Sequence, residues 1–408
     1  MPSVRSVALG LFVGAGSRGE DHDRAGLAHF IEHLLFKGSA RYGSHEIDEI
    51  FDAMGADLNA GTGKETTSVF ARFLDQHVAE ALDVLAEMVF APAFRAEEVA
   101  SEREVVIEEI AMYEDDPQDL VFDVMGEAVF GSHPLGRAVI GRAEVIAGTP
   151  VERIAAFHRE RYVPRNVVVA AAGSLDHERL VELVAARVPA LGPAPPVPES
   201  APAAPAATLR FRRKDTEQYH LCLGAPGIAA IDERRFTLRV LDTIFGGTSS
   251  SRLFREIREQ RGLAYAVHSF TSQYADAGQI GLYIGTRPEN LAEVVTIAAR
   301  ELARLREEPV SAAELDRARE NLKGRVVLSL ESTGARMNRL GASLLAGVPL
   351  LSVDEVIEGI DAVGAEELQA LAAELLMPER ISAAGIGVDE QAFRASLAPL
   401  SEELAAAA

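Results

Sequence analysis

The chain has no tryptophan and a single cysteine, Cys222. One thiol excludes an intrachain disulfide and a cysteine-built zinc ribbon, and it suits a reducing compartment. No stretch approaches the roughly 18–20 apolar residues of a membrane-spanning helix, so no membrane span is expected. Basic residues are scarce: 40 Lys and Arg stand against 62 Asp and Glu, giving a net charge of −22. Such a surface repels a phosphate backbone, so no nucleic-acid partner is expected, whereas basic peptides would be attracted. The plainer account of the same acidity is that it keeps the protein dispersed.

What is present is a globular composition. The 408 residues are 48% hydrophobic and 25% charged, enough chain for two or more cored domains. The opening MPSVRSVALGLFVGAGS superficially suggests a signal peptide, but one Arg precedes a run broken by Ser and Gly. Val4, Val7 and Leu9, then Leu11 and Val13, are instead read at period two, which predicts a strand with one buried face. A cytoplasmic, bacterial-type location is expected. Gly14, Gly16 and Gly19 spell GxGxxG, yet Glu20, Asp21 and Asp23 follow where a dinucleotide's pyrophosphate would sit. A dinucleotide site is therefore not expected.

Residues 192–207, GPAPPVPESAPAAPAA, read as a semi-rigid linker between domains at 1–191 and 208–408. The two parts echo one another. The stretch from Ile146 aligns with that from Ile360, and Pro164 with Pro378, both at an offset of 214. HVAEALDVLAEM from His77 echoes NLAEVVTIAARE from Asn290 at an offset of 213. A shared offset across separate segments implies a duplicated unit of strands alternating with amphipathic helices.

The chemistry concentrates in LAHFIEHLLFKG, residues 27–38. His29 and His33 are four apart and share one face of a helix, with Glu32 at its edge. Two imidazoles one turn apart can grip a tetrahedral zinc beside a poised carboxylate. A chance pair of surface histidines is the bland alternative. Against it, Leu27, Phe30, Ile31, Leu34 and Leu35 make the helix apolar, where unpartnered polar groups are costly.

HxxEH is the inverzincin pattern, and here the sequence resembles the pitrilysin-like M16 metallopeptidases. It is most similar to the short-chain branch that includes bacterial processing peptidases and the mitochondrial processing peptidase beta subunit. The resemblance implies an α+β fold of two duplicated α/β sandwich domains, each a mainly antiparallel sheet packed with helices, facing each other as a clamshell. It implies one zinc per chain, held by His29, His33 and Glu109, the last lying 76 positions after His33 in EREVVIEEI. Glu32 is then the general base, and Glu102, two turns before Glu109, supports the ligands. Glu104 and Glu108 are expected to be solvated.

Similarity also extends to GADLNA (55–60), which resembles the family's edge strand for extended substrates and implies contacts from Asn59 and Ala60; an ordinary turn into a strand is the equal alternative. In GGTSSSRLFREIREQRGLAYAV (246–267), Arg258 and Tyr265 match a pair that reaches the substrate carbonyl. The counterpart of HxxEH at 238–245, LRVLDTIF, has no histidine, and Lys or Arg around 323–325 replaces Glu109, so the second half is expected to cover substrate without metal. The family sheet usually carries a further strand before Val4; either the chain's start lies further upstream, or that strand is absent and the first sheet has an exposed edge. The expected function is zinc-dependent endopeptidase action on extended peptides, with basic ones favoured, in a homodimer or a heterodimer with another M16 chain. A non-catalytic partner subunit and a structural zinc protein are the competing readings.

Overall fold

Strand β1 (Ser6–Val13) organises the first sheet, with antiparallel neighbours β3 (Thr67–Leu74) and β4 (Val167–Gly173). In the computed structural model, which describes residues 1, 3–190, 192–201 and 206–406, strand β2 (Asp57–Thr62) lies outside β3, giving the order β2-β3-β1-β4. Residues 202–205 of the Pro/Ala-rich stretch lie outside the described residues.

Period two in β1 predicts one buried face, and the structure buries both. Val7, Leu9, Leu11 and Val13 join the core beneath the helices Leu27–Leu35 and Val78–Phe90. Ala8 and Phe12, on the other face, are 2% and 4% exposed and pack with Ala170, Ala172 and Met337. Met337 belongs to the helix Thr333–Leu345, far along the chain, which covers this face. Close approach depends on glycine: a Cβ on Gly341 would meet the Phe12 ring at 2.3 Å.

The second sheet contains β5 (Leu209–Arg213), β6 (Tyr219–Gly227), β7 (Ala264–Gln273), β8 (Gly278–Thr286) and β9 (Ser382–Gly387), in the order β5-β9-β6-β8-β7. Without β5, its order β9-β6-β8-β7 matches β4-β1-β3-β2 strand for strand, as duplication requires. β5 pairs in parallel with β9 and has no counterpart among the described residues of the first sheet, where β4 is an edge. The helix Pro117–Phe130 supplies Val121, Val124 and Met125 against Cys222, Tyr283 and Ile386 of this sheet.

Each of these two covering helices belongs to the compact unit whose sheet it covers. One compact unit comprises Met1–Met112, Arg137–Glu199 and Leu328–Leu350; the other comprises Tyr113–Gly136, Ser200–Val327 and Leu351–Ala408. The physical reason is that each sheet has a second apolar face, and a helix from the other half of the chain buries it. No helix among the described residues is long and apolar enough to cross a membrane.

Candidate metal centre

The HxxEH segment forms the helix Leu27–Leu35, and its start is fixed by a carboxylate. Gly26 caps it at φ +100°, a left-handed conformation that glycine adopts without strain. Glu20 accepts the backbone N–H of Gly26 at 2.8 Å and of Ala28 at 2.6 Å. The acidic residue after GxGxxG therefore occupies the helix N-terminus itself, the place where a pyrophosphate would bind. Leu27, Phe30, Ile31, Leu34 and Leu35 are at most 1% exposed, so burial of that side directs His29, Glu32 and His33 the other way.

The third expected ligand comes from the helix Ala96–Asp115. Val99, Val106 and Ile110 anchor it in the core, and Glu102 and Glu109, seven apart, follow one stripe. Nitrogens of His29 and His33 and a carboxylate oxygen of Glu109 all lie within 4.8 Å of one another. Glu109 Oε2 is 3.7 Å from His29 Nε2 and 3.3 Å from His33 Nε2. Ligands about 2.0–2.1 Å from a tetrahedral zinc are separated by roughly 3.3 Å, so these spacings fit.

The chemistry of the donors agrees with the spacing. Burial, with the nearby charge of His33, lowers the His29 pKa to about 4, so the ring is neutral and presents a lone pair. Glu109 Oε2 is buried without a hydrogen-bond partner, although it faces two imidazole nitrogens. Converging lone pairs with no proton donor between them are the arrangement a cation satisfies. Glu102, 4% exposed, accepts from His33 Nδ1 at 2.9 Å, which leaves Nε2 for a metal. The Lys37 ammonium lies 2.6 Å from its other oxygen. Glu104 and Glu108 are exposed.

Glu32 projects beside this cluster. Burial raises its carboxyl above the ordinary carboxylate range, while a hydrogen bond from Thr62 and the charge of His33 pull it down. Thr62 Oγ1 donates to Glu32 Oε2 at 2.5 Å from the last position of β2. Across the hairpin, Thr67 Oγ1 lies 3.2 Å from that hydroxyl and donates to Ala15 O at 2.9 Å.

GADLNA runs into β2, which among the described residues pairs with β3 alone and forms the edge of its sheet. Asn59 is exposed, and its side-chain oxygen accepts the N–H of Ala60 at 2.8 Å. Arg258 and Tyr265 belong to the other compact unit, where they meet each other: the guanidinium sits 4.2 Å from the ring centroid and donates to Tyr265 O at 3.0 Å. In that unit the helix Arg235–Phe245 occupies the place of the HxxEH helix. Its Asp242 accepts from Ser269 at 2.6 Å and lies in the field of Arg325. Among the described residues, only His29, His33 and Glu109 form a group able to hold a metal.

Two contributors escape a reading of the sequence, Lys37 and Thr62. Lys37 lies past the end of its helix, so helical spacing does not bring it to Glu102. Thr62 gives no local signal, since only the pairing of β2 brings it to Glu32.

Comparison with known proteins is consistent along the chain. Residues 1–143 match the model described as insulinase, peptidase family M16, and residues 150–322 match the peptidase M16 inactive domain. An uncharacterized zinc protease of Streptomyces coelicolor is 41% identical over 97% of this chain and 88% of its own. Another from Bacillus subtilis is 39% identical over 92% of this chain and 91% of its own. The crystal structure of a peptidase M16 inactive domain from Pseudomonas fluorescens superposes with a TM-score of 0.88 at 26% identity, covering 95% of this chain and 94% of that one. A protease from Helicobacter pylori gives a TM-score of 0.89 at 22% identity, with 95% and 94% covered, a likeness of fold.

Proposed function

The chain belongs to peptidase family M16, and from that premise we infer that it is a zinc-dependent endopeptidase acting on extended peptides. The observation that carries this reading is the convergence of His29, His33 and Glu109 beside a partly desolvated Glu32. His29, His33 and Glu109 hold the metal, one ion per chain, and three protein ligands leave room for a water or a substrate carbonyl. When bound, zinc supplies the Lewis acidity that polarises a carbonyl and acidifies a water. The chain's own residues do the rest. Glu32 takes the proton from the attacking water and delivers it to the leaving amine. Glu102 fixes the His33 ring so that Nε2 stays aimed at the metal position. The open edge of β2, with Asn59 and Ala60, aligns an extended peptide by main-chain pairing.

The acidity of the chain, −22 in net charge, favours basic peptides as substrates. A single experiment tests both parts. Purified protein with stoichiometric zinc should cleave quenched peptides in a chelator-sensitive manner. Of sets matched in length, the basic peptides should be cut faster, with the advantage shrinking as salt rises. Glu32→Gln should bind zinc fully and cleave nothing. Turnover by the zinc-loaded variant would sink the assignment of the base, and a chain that binds no zinc would sink the enzyme reading in favour of a non-catalytic partner subunit.

A further inference from the structure

Lys37 stands just beyond the HxxEH helix, its N–H bonded to Leu34 O at 3.1 Å, and four residues after His33. Lys37 lies past the C-cap Phe36, so its place beside Glu102 is set by the turn that ends the helix and not by the helical repeat. His33 and Lys37 reach the same acceptor on the helix Ala96–Asp115. His33 Nδ1 lies 2.9 Å from Glu102 Oε1, and Lys37 Nζ lies 2.6 Å from Glu102 Oε2. The Glu102 side chain is 6% exposed, so neither oxygen has ready access to water as a substitute partner.

We propose that Lys37 is a positioning residue for the metal: it clamps Glu102, and through Glu102 it holds the His33 ring ready for Zn²⁺. The proposal rests on the zinc reading of the site. Oε2 makes no hydrogen bond, so the ammonium beside it holds that end of the buried carboxylate by charge. With Lys37 removed, Oε2 loses its cation, and the carboxylate turns to regain a partner. That rotation loosens the bond that fixes the His33 ring, whose Nε2 otherwise sits 3.3 Å from Glu109 Oε2.

An opposing effect has to be weighed. The ammonium is itself a positive charge and repels a divalent cation. It is 35% exposed, however, so solvent and salt screen its longer-range field, whereas its contact with the buried carboxylate is direct. Ordering of Glu102 therefore wins, and Lys37 raises zinc affinity.

The test reads zinc affinity by competition with a chromophoric chelator, using metal-stripped full-length protein at neutral pH. Lys37→Met should weaken binding ~10-fold, in the range found when partners of metal ligands are removed. Lys37→Arg, which keeps the charge and reaches the same oxygen, should restore most of the affinity. In a Glu102→Gln background, Lys37→Met should add no further loss, because the clamp no longer has its object. Unchanged or tighter binding by Lys37→Met overturns the proposal, and so does an equal loss with and without Glu102. A Lys37→Met protein that melts below metal-free wild type also overturns it, by assigning Lys37 to the fold. Wild-type protein that binds no zinc is a separate result, and it would remove the zinc reading itself.

Discussion

The hydroxyl of Thr62 donates to Glu32 at 2.5 Å across thirty residues of sequence, joining the end of an edge strand to the carboxylate beside the metal position. The same strand is the outermost of its sheet among the described residues, and under the proposed function a peptide paired with β2 would lie on the element that also orients Glu32.

Thr62→Val keeps the shape of the side chain and removes the donor. With its hydrogen bond lost, Glu32 samples other orientations, and kcat should fall by roughly 10-fold or more, the value of one hydrogen bond to a charged group. Zinc content and KM should stay near wild type, since neither the ligands nor the strand edge changes. Thr62→Ser should recover most of the rate. Loss of zinc in Thr62→Val, or equal activity in the Val and Ser variants, would show that the hydroxyl does not act through Glu32.

The part of this arrangement that sequence reveals is the part set by local spacing. His29, Glu32 and His33 lie on one turn of helix, and Glu102 and Glu109 on one stripe of another, so periodicity alone groups them. Bringing those two helices together is a tertiary event, and here the family resemblance, not spacing, supplied Glu109. Thr62 was invisible for the same reason. The fold shows the same limit. Alternation in β1 correctly gives a strand, but its second face is buried by the helix Thr333–Leu345, over three hundred residues away, and no local pattern announces that. The exchange of covering helices likewise leaves the linker at 192–207 readable in composition while the compact units follow other boundaries.

That covering helix depends on a missing side chain. Gly341 lies in the helix interior, where alanine would ordinarily gain about 1 kcal/mol. A Cβ there would meet the Phe12 ring at 2.3 Å, and Phe12 is itself packed at 4% exposure. Overpacking of this kind costs about 1–3 kcal/mol, so it outweighs the propensity gain. Gly341→Ala should lower the urea midpoint, and Gly341→Val should lower it further. Gly334→Ala, in the same helix but with its nearest neighbour at 3.6 Å, should leave the midpoint unchanged or raise it. Equal effects at the two glycines would mean that close approach to β1 is not what requires Gly341.

His158 gives the stability of the first unit a pH dependence separate from the metal. The ring is 5% exposed, bonded to Val89 O at 2.9 Å and stacked on Tyr162 at 4.4 Å between centroids. Burial lowers its pKa from 6.5 to about 4, opposed by the bond to Val89 and reinforced by the charge of Arg159. In the unfolded chain the imidazole takes up a proton near pH 6.5, while in the folded chain it stays neutral until about pH 4. The unfolded state thus binds more protons across that window, and the contribution of His158 to stability, complete above pH 6.5, is lost as the pH falls. The loss approaches about 3 kcal/mol once the pH is below both values. Unfolding of metal-stripped protein followed from pH 7.5 to 4 should show this decline. His158→Gln keeps a donor for Val89 O but cannot take up the proton, so its stability relative to wild type should improve steadily below pH 6.5. A constant difference between the two proteins across the window would mean that the buried ring does not titrate differently in the folded and unfolded chains.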